Sequence, residues 1–248
     1  MIGLTPRHEV LNLLDANKFI ICMAANAAIR TVSSRRRTQA ERSALASRRM
    51  TEAAVELLNE RGIEGATLKA IGEKAGYSRG LATHHFGSKA GLFRMVLKRV
   101  SAIWVEQLDK HVGSTTGLEA LHMGLKAHYR FVRGYPRHVF AMQVLHFSSL
   151  DPGSGFRPNV AEYLRGQRKV AARWVAEGQE EGTIRSSLDP ARFAEQYVGS
   201  IAGLLSQWQM SSGLSLKRMY QEYESYLCML VKPESSASGQ EKRGQGNE

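Results

Sequence analysis

The chain holds only two cysteines, Cys22 and Cys228, and six prolines among 248 residues. Two thiols cannot staple a small scaffold or supply the four ligands of an all-thiolate zinc site, and they suit a reducing compartment. So few prolines exclude a collagen-like or proline-rich extended chain. No apolar run reaches the roughly 20 residues that a membrane-spanning helix needs. The longest, Phe19–Ile29, has about half that length and carries Asn26 inside it. Met23 to Ala28 has the small residues of a leader cleavage region, but Asp15 lies where a secretory leader stays positive. The expectation is a cytoplasmic protein with no membrane partner. Signatures of catalysis are missing as well: there is no Gly-x-Ser-x-Gly elbow, no phosphate-cradling glycine loop and no His-Glu-x-x-His. His122, His128, His138 and His146 lack the close spacing of metal ligands. His84 and His85, adjacent on a helix, point about 100° apart. No catalytic set, metal or cofactor is therefore expected.

What is present is a charge surplus with a location. The formal net charge is +11, and residues 1–110 carry +8 of it, against +3 for residues 111–248. A basic first half suits a polyanion, and nucleic acid is the leading candidate. Hydrophobic residues make up 43% and charged residues 23%, the balance of a globular chain with a sizeable core.

The apolar pattern is helical throughout, with no alternating segments of strand length, and it predicts an all-α protein. Residues 1–42 lack a sustained period and read as a basic extension around Arg35, Arg36 and Arg37. From Ser43, Met50, Ala54, Leu57, Leu58 and Arg61 share one helical face up to Gly62. Thr67, Ser78 and Ser88 each stand where a helix N-cap belongs, opening helices over 68–75, from 79 to about 85, and from 89 through the stripe Leu92, Phe93, Val96, Val100, Ile103 and Trp104. Further helices are predicted over 118–134 and 137–150. A loop over 151–158 precedes another that carries Tyr163 to Gly178, and two more run over 190–210 and 216–231. The Ser- and Gly-rich tail, 233–248, reads as disordered. The domain plan is thus an N-terminal unit of three short helices within 43–106 and a larger helical unit over 107–232.

Residues 67–86 have the layout of a helix-turn-helix, with Gly76 in the turn and small Ala75 letting the two helices approach. In such a motif the second helix enters the major groove with its N-terminal residues toward base edges. Here those residues are Tyr77, Ser78, Arg79, Gly80 and Thr83, followed by His84 and His85. Arg79 can grip a guanine edge or a phosphate, Gly80 permits close approach, and the hydroxyls can bond phosphate oxygens. Thr67, Lys69, Lys89, Arg48 and Arg49 complete the candidate DNA-binding set.

The run Ala53–Gly62, then Ala66-Thr67-Leu68 with Ile71 and Ala75-Gly76, Ser78-Arg79-Gly80, His85-Phe86-Gly87-Ser88-Lys89 and Leu92-Phe93, resembles the N-terminal domain of the TetR (tetracycline-repressor-like) family of transcriptional regulators. The resemblance covers about residues 46–106. It implies an all-helical homodimeric repressor that binds a palindromic operator in double-stranded DNA, with a divergent C-terminal domain for dimerisation and ligand binding. The chain departs from the family's pattern at Ala82-Thr83, where a Leu-Tyr pair is usual. The phosphate contact implied for that tyrosine passes here to His84 or Tyr77.

For the second domain, Trp104, Met123, Phe131, Phe140, Met142 and Trp174 are the candidates to line a cavity for a small apolar effector, although aromatic and Met stripes more often just fill a core. Gly199 and Gly203, four apart on a helix, permit a close helix approach, either in a four-helix dimer interface or inside the chain. The helix that begins at Ser88 is the expected link between cavity and recognition helix. Two other functions compete with a ligand-released repressor: a constitutive or architectural DNA-binding protein, and a helical enzyme acting on an acidic substrate.

Overall fold

A computed structural model describes residues 38–233, so the extension over 1–37 and the tail from 234 lie outside the described residues. The described residues form nine α-helices and no strand, in the all-α plan read from the sequence.

The first helix, α1 (Gln39–Gly65), opens on a reciprocal cap. Thr38 Oγ1 accepts from the Glu41 amide at 3.2 Å, and the Thr38 amide donates to Glu41 Oε2 at 2.8 Å. Two otherwise orphaned donors are satisfied this way. The helix therefore starts four residues before Ser43, which corrects the boundary drawn at residue 42. Its first turn is exposed on all sides, so apolar periodicity carries no sign of it. Further along, Met50, Ala54, Leu57 and Leu58 are buried as their spacing predicts, while Arg61 faces solvent. Gly62 breaks the helix at φ 64°, a conformation that favours glycine, and the chain turns helical again up to Gly65.

Three hydroxyls then set three helix starts. Thr67 caps α2 (Leu68–Ala75) through the Ala70 amide at 3.1 Å, Ser78 caps α3 (Arg79–Phe86) through the Leu81 amide at 3.2 Å, and Ser88 caps α4 (Lys89–Val112) through the Gly91 amide at 3.0 Å. Each such cap is worth about 1 kcal/mol. Helices α2 and α3 form the helix-turn-helix. Gly72 sets how tightly it closes, since a Cβ there would stand 3.0 Å from the Ser78 carbonyl oxygen, and Ala75 packs partly buried against the core. Gly91 does the same for α3 against α4, where a side chain would fall on the Phe86 carbonyl. Ile71, Ala82, Phe86, Leu92 and Phe93 fill the space between these helices and α1. Fully burying a side chain such as Ile71 or Leu92 contributes roughly 1.5–3 kcal/mol.

The larger unit follows as α5 (Gly117–Gly134), α6 (Pro136–Ser148), α7 (Arg157–Glu180), α8 (Pro190–Met210) and α9 (Leu216–Val231). The loop read over 151–158 contains a short 3-10 turn at Pro152–Ser154, and its Phe156 is buried edge-on against Phe93 of α4. The long α4 belongs to both units. A second junction joins α6 to α1: Asn59 Nδ2 donates to the Arg137 carbonyl at 2.9 Å, and Glu52 meets His138 Nε2 at 2.9 Å and Arg99 Nε at 3.0 Å. The His138 hydrogen bond, with help from Arg99, holds the Glu52 carboxyl down at about 2.

Candidate DNA interface and ligand cavity

The sequence-derived residues lie on α1 to α4 and the caps between them, most of them on or beside α3. Arg79, Gly80, Thr83 and His84 are exposed along the helix, and Tyr77 and His85 are half-buried at its ends. Burial, with the neighbouring His84, lowers the pKa of His85, whose ring lies beside Phe86. Thr67 and Ser78 are exposed, but each oxygen already accepts a capping hydrogen bond, which leaves the O–H free to donate. Arg48 and Arg49 are exposed on α1. Lys69 pairs loosely with Glu73 at 4.0 Å. Lys89 lies 3.7 Å from Glu64 and 5.9 Å from the centre of the Phe93 ring. Exposed ion pairs of this kind are worth about 0–1 kcal/mol, so a phosphate can displace either carboxylate. Lys74 differs: it reaches Glu60 at 2.9 Å and Glu56 at 3.2 Å, and so fastens α2 to α1.

This geometry is that of a helix-turn-helix with an unobstructed second helix. Residues 51–96 match the family model described as bacterial regulatory proteins, tetR family. Over that stretch the chain is similar to the tetR family of bacterial regulatory proteins. The likeness to solved structures extends over the whole helical body. A protein from Rhodococcus sp. assigned to the TetR-family transcriptional regulators superposes with a TM-score of 0.68 at 20% identity, covering 76% of this chain and 100% of that one. The structure of SmeT in complex with triclosan gives 0.64 at 17%, covering 82% and 99%. That of AibR in complex with isovaleryl coenzyme A and operator DNA gives 0.60 at 17%, covering 73% and 97%. At these identities the structural likeness speaks to the fold. No curated protein matches the chain by sequence.

Behind the helix-turn-helix domain, α4 to α8 line a partly open cavity of about 90 Å³. Trp104, Phe131, Met142 and Trp174 line it, as the sequence reading expects. Met123 and Phe140 do not. Met123 is half-buried against other core residues, and Phe140 turns 38% of its surface outward on the far side of α6. Position on a helix explains the error: Val139 and Met142 occupy the inward face of α6, so Phe140, one residue on from Val139, cannot share it.

The polar lining is the part that sequence reading missed. His128, His146, Gln143, Gln167, Tyr163 and Tyr197 all reach the wall, whereas no Lys, Arg, Asp or Glu does. Most of these polar atoms are spoken for. Trp104 Nε1 donates to Gln167 Oε1 at 2.8 Å, Gln143 Nε2 to Ser206 Oγ at 2.9 Å and Tyr197 Oη to the Leu121 carbonyl at 3.3 Å, while His128 Nδ1 shares a 2.6 Å hydrogen bond with Tyr220 Oη. Two are not: Trp174 Nε1 and His146 Nε2 are buried without a hydrogen-bond partner among the described residues. Burial brings both His128 and His146 down to about 4, so the rings are neutral at neutral pH. Scattered in the sequence at intervals of 18 residues, these two histidines carry no recognisable spacing.

Metal ligands do not gather anywhere among the described residues: no three of His, Cys, Asp and Glu cluster to hold an ion. No helix among them is long and apolar enough to cross a membrane. On α8, no described residue lies within 4 Å of where a Cβ would stand at Gly199 or Gly203, so among the described residues these glycines make room for no neighbour. Met210 continues their stripe, and Tyr226, Met229 and Leu230 are exposed together on α9.

Proposed function

We propose that the protein is a cytoplasmic homodimeric transcriptional repressor that binds a palindromic operator and leaves it when a small apolar ligand enters the cavity. The observation that carries this reading is the pairing of an open recognition helix with a cavity whose walls include α4 and α6, the two helices that also touch the helix-turn-helix domain. The relatives support it: AibR was solved with an acyl coenzyme A and operator DNA, and SmeT with triclosan. Two copies would pack α8 and α9 as a four-helix interface, covering Gly199, Gly203, Met210, Tyr226, Met229 and Leu230.

Chemically, Arg79 at the start of α3 is the residue for a guanine edge, with Gly80 allowing the backbone near the groove. Thr83, His84, Tyr77 and the free hydroxyl protons of Ser78 and Thr67 serve phosphate oxygens. Arg48, Arg49, Lys69 and Lys89 add sequence-independent attraction. His85 is the ring that packs. A ligand releases DNA only by favouring the conformation that does not fit the operator, and a coupling of about 1–3 kcal/mol would lower operator affinity roughly 5–150-fold.

Selection of bound DNA from a random pool tests the reading. The expected site is an inverted repeat with half-sites about one DNA turn, ~34 Å, apart or slightly more. Arg79→Ala should cost about 1–3 kcal/mol and relax one position per half-site, whereas Lys89→Ala should weaken all sequences alike and lower the salt slope by roughly one. Equal binding of random DNA by the wild type and Arg79→Ala would leave only an architectural protein.

A further inference from the structure

The cavity's chemistry narrows what can occupy it. Its wall is carbon apart from the neutral polar groups described above, and it has no ionised side chain to meet a ligand charge. A charged group brought there would shed hydration without meeting an opposite charge, which disfavours carboxylates, phosphates and ammonium compounds. The size is also bounded. About 90 Å³ is several times the ~10–15 Å³ that one water requires, but it is less than the ~150 Å³ of an engineered cavity known to accept benzene. A single substituted ring, or a short chain of similar bulk, already asks the walls to give a little.

Within this apolar space Trp174 is the informative residue. Only 3% of it is exposed, yet its Nε1–H has no acceptor among the described residues. The indole is not loosely held. Its six-membered ring, at Cζ3 and Cη2, lies so close to Gly124 that a Cβ at that position would stand 2.8–2.9 Å away, so α5 fixes the ring from the edge away from the nitrogen. The contrast with Trp104 is direct, because that indole also lines the cavity and its N–H is satisfied by Gln167. A buried donor without a partner costs about 1–3 kcal/mol, and a ligand oxygen would remove that cost. His146, another lining residue, also has a buried ring nitrogen, Nε2, without a partner among the described residues, and in the Nε2–H tautomer it would offer a second donor.

We propose that the effector is an uncharged, largely hydrocarbon molecule, no larger than about a single substituted ring, whose one carbonyl oxygen accepts a hydrogen bond from Trp174 Nε1–H. This rests on the reading of the cavity as the effector site.

Calorimetric titration of the full-length protein with acetophenone, ethylbenzene and benzoate tests it. These probes share a ring and differ in offering a neutral carbonyl, no acceptor, or a charge. Acetophenone should bind about tenfold more tightly than ethylbenzene, as one buried hydrogen bond warrants, and benzoate should not bind measurably. Trp174→Phe deletes the donor, so acetophenone should lose its advantage and the ratio of the two affinities should fall to about one, while a cooperative thermal unfolding transition and retained DNA binding show the variant to be folded. Equal affinity of acetophenone and ethylbenzene for the wild type overturns the proposal but leaves an apolar effector site standing, and tighter binding of benzoate overturns it too. Heat from none of the three, with no shift in the unfolding midpoint, removes the effector site itself and the proposal with it.

Discussion

The two ends of the molecule keep their functional groups in opposite conditions. At the α3 end, the groups offered to DNA are exposed, several are charged, and the caps of Thr67, Ser78 and Ser88 fix the backbone beneath them. At the cavity end the corresponding groups are buried, neutral and held by side chains from distant parts of the sequence, such as Gln143 with Ser206 and His128 with Tyr220. A surface that reads a polyanion works by charge and shape in water, while a pocket for a small molecule works by excluding water. The two sites therefore fail for different reasons, which single substitutions and pH can separate.

The largest effect is expected at the junction that supports the DNA-reading end. Gly91→Ala would drive a methyl into the Phe86 carbonyl, which is backbone and cannot step aside. Destabilisation by about 3 kcal/mol or more is expected in urea unfolding, from overpacking together with displacement of α3 from α4. Operator affinity should fall with it, while binding of acetophenone to whatever fraction stays folded should be unchanged.

The cavity end should break with pH instead. For His128 and His146 the folded pKa, about 4, lies below the ordinary 6.5. The unfolded chain therefore takes up protons between pH 6.5 and 4 that the folded chain refuses. Stability is complete above pH 6.5 and is lost as pH falls through that window, by about 2–3 kcal/mol for each histidine by pH 4. Glu52 acts in a lower window with the same direction: its carboxyl, at about 2 against an ordinary 4.5, supports the fold above pH 4.5 and ceases to do so as pH falls toward 2. Urea titrations at pH 7, 5.5 and 4.5 should show the histidine loss first, and His146→Gln should flatten part of it. A flat stability profile between pH 7 and 4.5 would show that the two rings are not held neutral.

The same contrast governs how much of each end is legible in the amino-acid sequence. Caps, turn glycines and the Leu92-Phe93 stripe are encoded within a few residues of where they act, and so α2, α3 and α4 stand out from spacing alone. The start of α1 does not, because a fully exposed first turn leaves no apolar trace and only its capping box announces it. In the cavity, the bulky residues Trp104, Phe131, Met142 and Trp174 are legible as hydrophobes on inward faces. His128 and His146 are not, since a buried neutral histidine is defined by its neighbours across five helices rather than along the chain. Gly72, Gly91 and Gly124 escape for the same reason: what each glycine makes room for comes from another element.

The smallest effect is expected at the seam between the ends. Glu52→Gln keeps the shape but weakens the hold of α1 on His138 and Arg99. A cost of about 1 kcal/mol in stability is expected for this partly exposed cluster. The more telling readout is operator affinity with and without cavity ligand, whose ratio should shrink about two- to fivefold. An unchanged ratio would place the coupling in α4 alone.

The connection between α5 and α6 is one residue long, Tyr135, and Pro136 opens α6 immediately after it. Long connections absorb displacement as slack; this one has none to give. The 13 residues of α6 span about 20 Å as a stiff rod. Met142 and His146 ride on its cavity side, and Arg137 and His138 ride on its first turn against α1. A push on the cavity side would be carried along this rod to its first turn as a rigid-body motion, on the microsecond to millisecond scale, rather than by a segment that must melt and refold.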